Sequence, residues 1–225
     1  MGLILQKQDK KDEQTVHFSL VDTKNLLLIF TRNPELGKCK TRLAATVGNE
    51  AALAIYKFLL SHTVALTTNL TVKKQVWYSE DIWNDDVWDS TIFEKKLQKG
   101  ANLGERMAHA FQEGFEKGFE KIIIIGSDMY DLNQESLENA FIALNNSDIV
   151  LGPATDGGYY LLGMKKWTPE PFKNKDWGQS TVLQDTLNDL KNKNIHLMDV
   201  KNDVDVYEDI QHIAAFQPFL KHSEK

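Results

Sequence analysis

Carboxylates at three places and one cation-rich loop are the groups in this chain best spaced for chemistry on phosphate. The stretch Lys121–Leu132, KIIIIGSDMYDL, runs four isoleucines into Gly126, Ser127 and Asp128. A carboxylate at the end of a buried strand can hold a hard divalent cation against phosphate oxygens, or it can simply cap the next helix or turn the chain. The loop RNPELGKCKTRLA brings Arg32, Lys38, Lys40 and Arg42 together within eleven residues. Lysine as a point charge and arginine as a two-pronged donor suit a di- or triphosphate, although a solvated basic turn has the same composition. It is not a Walker loop, because the G-x-x-x-x-G-K-[ST] spacing is absent. In GPATDGGYYLLGM, Asp156 lies among Gly152, Gly157, Gly158 and Gly163. Such glycine density permits close backbone approach, and it also fits a hairpin with D-G at its turn. Finally, NDVDVYEDI places Asp203 and Asp205 ahead of an expected closing helix, where one of them could be only an N-cap.

The elements that must position these groups follow from the apolar pattern. Leu26–Thr31 and the isoleucine run are continuous apolar stretches, the signature of strands buried on both faces in a parallel sheet. Further strands are expected at Gln75–Tyr78, Phe93–Gln98, Asp148–Gly152, the YYLLGM segment and Ile195–Val200. Helices are expected from Asn49, after Asn102, over Gln134–Asn145, after a Ser180 cap and after Asp205. Pro34 and Gly37 make the basic segment a turn rather than a helix. In an open sheet of this kind ligands bind in the crevice at the carboxyl ends of the strands, which the side chain of Asn102 and the amides near Gly104 can also face. Arg106 and His109 follow one turn apart, with His109 expected on the helix surface, and His62 is read as a packed or surface residue of its helix. Trp83 and Trp88 read as packing anchors, and Asp81, Asp85, Asp86 and Asp89 as a solvated face.

Composition removes several function classes. The 225 residues are 42% hydrophobic and 26% charged, as expected of an ordinary soluble globular protein with room for a full core. A net charge of −6 argues against a general polyanion or nucleic-acid binder. Cys39 is the single cysteine, which rules out an intrachain disulfide and fits a reducing compartment. No apolar run in the sequence approaches the roughly 18 residues of a membrane span, and MGLILQKQDKKDEQ lacks a signal-peptide core. Gln6 stands where a myristoylation signal wants Ser or Thr, so a cytoplasmic protein is expected. Residues 1–24 read as an extension with at most one strand or helix around His17–Val21, and residues 25–225 as one domain.

The motifs PELGKCKTRLA, QKGANLGERM, IGSDMYDL, GPATDGGYYLLG, WGQSTVL and DVDVYEDI follow one another over roughly Leu26–Phe216. In order and approximate spacing they resemble a bacterial glycosyltransferase-like family of the nucleotide-diphospho-sugar transferase superfamily, related to nucleotidyltransferases. The resemblance implies a Rossmann-like, three-layer α/β/α fold of the glycosyltransferase-A type, with a mixed, mostly parallel sheet. It also implies a catalytic Mg²⁺ or Mn²⁺ held by Asp128 and Asp205, with Asp203 as the substitute for Asp205. Lys38, Lys40 and Arg42 match the phosphate-binding loop, Asn102 and Gly104 the nucleotide side, and Asp156, Gly157, Gly158 and Tyr159 the sugar or acceptor side. The chain departs from the family pattern at Tyr130, where relatives carry proline, and at Asn102, where they carry aspartate.

The expected activity is therefore metal-dependent transfer on a nucleotide or nucleotide-sugar, with an acceptor that the sequence does not identify. Glycosyl transfer from a nucleotide-diphospho-sugar leads, with Asp156 orienting the sugar or acting as base toward an acceptor hydroxyl. Nucleotidyl transfer from a triphosphate to a phosphorylated acceptor, with release of pyrophosphate, is the nearest rival. A nucleotide-binding protein without turnover is the third reading, prompted by Tyr130 and Asn102.

Overall fold

A computed structural model describes residues 23–220. The expected extension over 1–24, with its element around His17–Val21, lies almost wholly outside the described residues. Seven strands form one sheet in the order β3-β2-β1-β4-β6-β5-β7. They are β1 (Asn25–Thr31), β2 (Lys73–Tyr78), β3 (Phe93–Leu97), β4 (Lys121–Gly126), β5 (Ile149–Pro153), β6 (Tyr159–Met164) and β7 (Ile195–Leu197). All neighbours pair in parallel except β6, which is antiparallel to both β4 and β5.

The central strands β1 and β4 are continuously apolar over Leu26–Phe30 and Ile122–Ile125 because both faces of the sheet are covered. Leu27 and Ile29 of β1, with Ile123 and Ile125 of β4, pack on the face covered by α2 (Asn49–Thr68) and α4 (Gln134–Ala143). Their sequence neighbours Leu26, Leu28, Ile122 and Ile124 pack on the other face, under α3 (Leu103–Glu116) and α5 (Val182–Asp189). Burying each such side chain stabilises the fold by roughly 1.5–3 kcal/mol. The result is three layers with two cores back to back. A third cluster joins α1 (Thr41–Val47) and α2 to the carboxyl-terminal segment through Leu43, Ile55, Leu59 and Phe216.

Several boundaries differ from those expected. The basic segment is a turn only as far as Lys40, after which TRLAATV, rich in good helix formers, makes α1 and carries Arg42 in its first turn. Helix α5 starts at Val182 after Thr181, without a side-chain cap from Ser180, and ends at Asp189. In place of a closing helix after Asp205, a 3-10 turn spans Tyr207–Asp209 and a short helix α6 spans Gln217–Leu220. Helix α2 is 20 residues long and, by length and composition alone, apolar enough to cross a membrane, a test that the core helix of a globular domain also passes. Ile55, Tyr56, Leu59 and Leu60 on it are buried against the sheet and the carboxyl-terminal segment. Asp86 is not on a solvated face. It accepts from the Tyr78 hydroxyl, the Lys95 ammonium and the Trp88 amide.

Candidate active site

Strand β1 is followed in sequence by β2 on one side, whereas β4 lies on its other side, so the chain reverses direction across the sheet between β1 and β4. Ligand crevices of open α/β sheets form where neighbouring connections diverge in this way. Here Thr31 and Arg32 leave β1 beside Gly126, Ser127 and Asp128 leaving β4. The Tyr56 hydroxyl, buried on α2, ties the two ends together. It accepts from the Arg32 amide at 2.9 Å and lies 3.3 Å from the Thr31 hydroxyl and 3.2 Å from that of Ser127. Burial raises the pKa of this phenol, so it stays protonated.

A polar cavity of about 820 Å³ opens above these ends. Arg32, Lys38, Lys40, Arg42 and Arg106 line it together with Asp128, Asp156, Asp203 and Asp205. The Lys40 backbone adopts the left-handed conformation (φ 50°), which costs a non-glycine residue about 1–2 kcal/mol. From there its ammonium reaches Asp128 Oδ2 at 2.8 Å. Burial opposes the charge on Lys40, but Asp128, then Asp203 and Asp205, outweigh it and raise its pKa. The ammonium thus lies in the joint field of three carboxylates. Asp203 shows the other side of this field. Burial first, then the Asp128 and Asp156 charges, push it up to about 6 against the pull of Lys40.

The loop after β7 is fixed by a residue that the sequence reading passed over. Asp209 Oδ2 accepts from the Asp205 amide at 2.8 Å and the Val206 amide at 2.7 Å, and its Oδ1 accepts from Asn202 at 2.7 Å. Neither Asp203 nor Asp205 is used as a cap, which leaves their carboxylates facing the cavity; Asp205 accepts from Arg42 at 2.9 Å. The D-x-x-x-D spacing of Asp205 and Asp209 was the available signal. Arg106 was also missed as a cavity residue. Its Nε donates to the Gly100 carbonyl at 3.1 Å and its head group to the Gln98 side chain at 3.4 Å, at the wall of the crevice.

The other expected site residues divide into two groups. Asn102 lines the cavity and caps α3, accepting from the Glu105 amide at 3.0 Å while donating to the Glu105 carboxylate. Asp156 stands at the hairpin tip, where its Oδ1 accepts from the Gly158 amide at 2.8 Å. Gly158 and Tyr159 line a second, apolar cavity beside the first. Gly104 and Gly157 line neither and are packing positions. A Cβ on Gly104 would meet Trp177 Nε1 at 2.7 Å, and one on Gly157 would meet the Ser180 carbonyl at 2.1 Å. His109 is not on the surface but half-buried, edge-on to Trp77. His62 lies 3.2 Å from the Leu132 carbonyl and packs on Tyr130.

The carboxylates suit a hard divalent cation chemically, since such ions take oxygen ligands and the Lys40 ammonium already marks a point where three of these charges sum. Among the described residues no three acidic, histidine or cysteine side chains are spaced to enclose an ion. A Mg²⁺ or Mn²⁺ here would complete its shell with phosphate oxygens and water, the usual habit of Mg²⁺ at phosphate sites.

Residues 62–179, just over half of the chain, match the model of a family described as "Uncharacterized protein conserved in bacteria (DUF2064)". The chain belongs to this family. Among solved structures, the DUF2064 chain is similar to a protein from Desulfovibrio desulfuricans G20 that is named, provisionally, as a nucleotide-diphospho-sugar transferase. The two share 30% identity over 82% of this chain and 83% of that one, with a TM-score of 0.77. At 10% identity the likeness extends, for the fold alone, to a CMP:2-keto-3-deoxy-manno-octonic acid synthetase complexed with CTP, covering 87% of this chain and 99% of that one at a TM-score of 0.53. A 4-diphosphocytidyl-2C-methyl-D-erythritol synthase from Anaerococcus prevotii is similar at the same identity, over 89% and 98% of the two chains, with a TM-score of 0.56. No curated protein matches the chain. The mixed three-layer sheet of this DUF2064 member is thus the Rossmann-like fold of the glycosyltransferase-A type expected from its motifs.

Proposed function

We propose that this protein is a metal-dependent transferase acting on a nucleotide-diphospho-sugar, with glycosyl transfer as the reaction. The observation that carries this reading is the polar cavity at the β1/β4 divergence, where Arg32, Lys38, Lys40 and, from the first turn of α1, Arg42 line one wall with Asp128, Asp203 and Asp205. The provisional name of the Desulfovibrio relative points the same way.

Lys40, Arg42, Lys38 and Arg32 supply fixed positive charge for the diphosphate, and Arg106 extends that charge along the crevice. Asp128 and Asp205 would hold the divalent cation, with Asp203 beside them. When bound, the cation would neutralise charge that develops on the departing diphosphate. The acceptor oxygen attacks the anomeric carbon, whose bond to the diphosphate oxygen breaks, and the nucleoside diphosphate leaves with the electron pair. The acceptor proton passes to the Asp156 carboxylate, which is exposed at the hairpin tip and lines the cavity. Both departures from the family pattern have structural roles that leave this machinery in place. Tyr130 packs edge-on against Phe216 with ring centroids 4.9 Å apart, and Asn102 caps α3.

Thermal-shift measurements with nucleoside diphosphate sugars, with and without Mn²⁺, test the proposal, because a ligand that binds the folded state raises the melting temperature by mass action. A Mn²⁺-dependent rise with at least one such sugar is expected, and it should vanish in Asp128→Ala. No rise with any of them, or a rise unchanged in that variant, would overturn it. The number of cations favours one rival, nucleotidyl transfer from a triphosphate, since a triphosphate needs more neutralisation. Pyrophosphate release from a nucleoside triphosphate and a sugar phosphate would establish that rival instead.

A further inference from the structure

Beside the charged crevice lies a second cavity of about 270 Å³ whose character is the opposite. Its walls include Phe30, Met107, Leu162, Tyr159, Trp177 and Val182. Trp177 stands edge-on to Tyr159, with centroids 6.4 Å apart, and its ring is seated against α3 because Gly104 has no side chain. The Tyr159 hydroxyl is buried without a hydrogen-bond partner, and burial alone pushes its pKa up, so it remains a protonated phenol. The two cavities adjoin along a common wall. Phe30, Leu103, Gly126, Asp156, Gly178 and Asp203 line both.

We propose that this chamber is the acceptor subsite, and that the acceptor is an alcohol carried on a small apolar or aromatic body rather than a sugar or other polyol. The assignment deepens the transferase reading and rests on it for the chamber's role. A polyol placed against these walls would leave hydroxyls desolvated without partners, whereas an aryl or short-alkyl body gains from leaving water. Only at the shared wall do carboxylates meet the chamber. An occupant with a single hydroxyl therefore directs that group toward Asp156 and Asp203, next to the crevice that holds the diphosphate. This orientation matches the direction of attack in the proposed transfer, and it excludes water from the acceptor side.

Benzyl alcohol is a direct probe, followed by saturation-transfer NMR on the full-length protein without nucleotide or metal. Magnetisation transfer to benzyl alcohol is expected, with glycerol at the same concentration giving none. Two variants locate the binding. Leu103→Arg puts a charge at the shared wall from a position that is already 44% exposed and so carries little folding risk. Val182→Phe fills the chamber from within. Each should weaken benzyl alcohol binding at least tenfold. Binding unchanged in Leu103→Arg, or glycerol competing as well as benzyl alcohol, overturns the assignment. The two readings fail separately. A protein that binds benzyl alcohol in this pattern but shows no shift with any nucleotide-sugar loses the transferase reading and keeps the chamber. The reverse result removes the acceptor assignment alone.

Discussion

Two lysine–aspartate pairs in this protein have nearly the same length and opposite meanings. Lys95 meets Asp86 at 2.7 Å and Lys40 meets Asp128 at 2.8 Å. Both lysine side chains are sealed, at 8% and 7% exposure, but the acids differ: Asp86 is 11% exposed and Asp128 37%. Asp86 spends both oxygens on partners within the fold, namely Tyr78, Trp88 and Lys95. Asp128 gives one oxygen to Lys40 and keeps its open side toward a cavity lined by four further carboxylates, those of Glu80, Asp156, Asp203 and Asp205. A pair with both carboxylate oxygens engaged fixes a loop. A pair left half-satisfied, in a field of like charge, is ready to exchange its cation.

Breaking the satisfied pair should have the largest effect on the molecule. Lys95→Ala leaves the Asp86 carboxylate buried without its counter-charge, and such truncations cost about 3–5 kcal/mol. Chemical denaturation should show that loss, while the remaining folded protein keeps its nucleotide affinity. A midpoint shift worth less than about 1 kcal/mol would mean that Asp86 is not the anchor of the loop between β2 and β3.

The half-satisfied pair should respond the other way round. Asp128→Asn keeps the shape and removes the charge, so transfer should fall by about 100-fold or more, while stability falls by less than in Lys95→Ala because Asp203 and Asp205 still face the Lys40 ammonium. Steady-state assays and denaturation on the same preparation check both halves. If activity survives and stability collapses, Asp128 belongs with Asp86 as a structural residue, and the distinction between the pairs fails.

How far this contrast could be read from sequence depends on range. The continuous apolar runs Leu26–Phe30 and Ile122–Ile125 announced central strands, because a strand covered on both faces has no polar register to hide. Lys40, Asp128 and Asp205 were visible as charges beside such strands, and the motif order linked acids more than seventy residues apart. Other features depended on contacts that no local pattern records. Asp86 looked solvated because its partners Tyr78 and Lys95 belong to strands whose pairing the local composition does not reveal. Tyr130 had no local rationale because its neighbours Phe58, His62 and Phe216 come from α2 and the far carboxyl-terminal segment. Asp209 was passed over because its acceptor role appears only once Asn202 and Asp205 are folded over it.

Asp203 offers a finer test of the field around the half-satisfied pair. Its folded pKa, about 6, lies above the unfolded aspartate value, so between about pH 4 and 6 the folded state holds a proton that the unfolded chain has released. Stability from this group is therefore greatest below about pH 4, declines as pH rises through that window, and is at its lowest above it. Asp203→Asn removes the penalty. In a metal-free buffer the variant should be more stable than the wild type by about 1–3 kcal/mol at pH 8, with the gap closing below pH 4. A gap of the same size at both pH values would assign the change to packing, not to the burial and the repulsion from Asp128 and Asp156 that raise this pKa.

Arg42 and Asp205 set the lower bound of the comparison. Their contact is 2.9 Å long, as good as either buried pair, yet the arginine is 71% and the aspartate 36% exposed. Water and salt screen such a pair, and the side chains lose rotamer freedom to hold it, so Arg42→Ala should change stability by no more than about 0.5 kcal/mol. The same substitution removes one fixed charge from the wall that faces the diphosphate. Its expected signature is thus a weaker nucleotide-sugar affinity, most evident at low ionic strength and shrinking as salt is raised, on an unchanged unfolding curve. An affinity loss that does not depend on salt would mean that Arg42 acts by positioning the Asp205 carboxylate rather than by its own charge, and would move it from the basic loop's electrostatics into the proposed metal site.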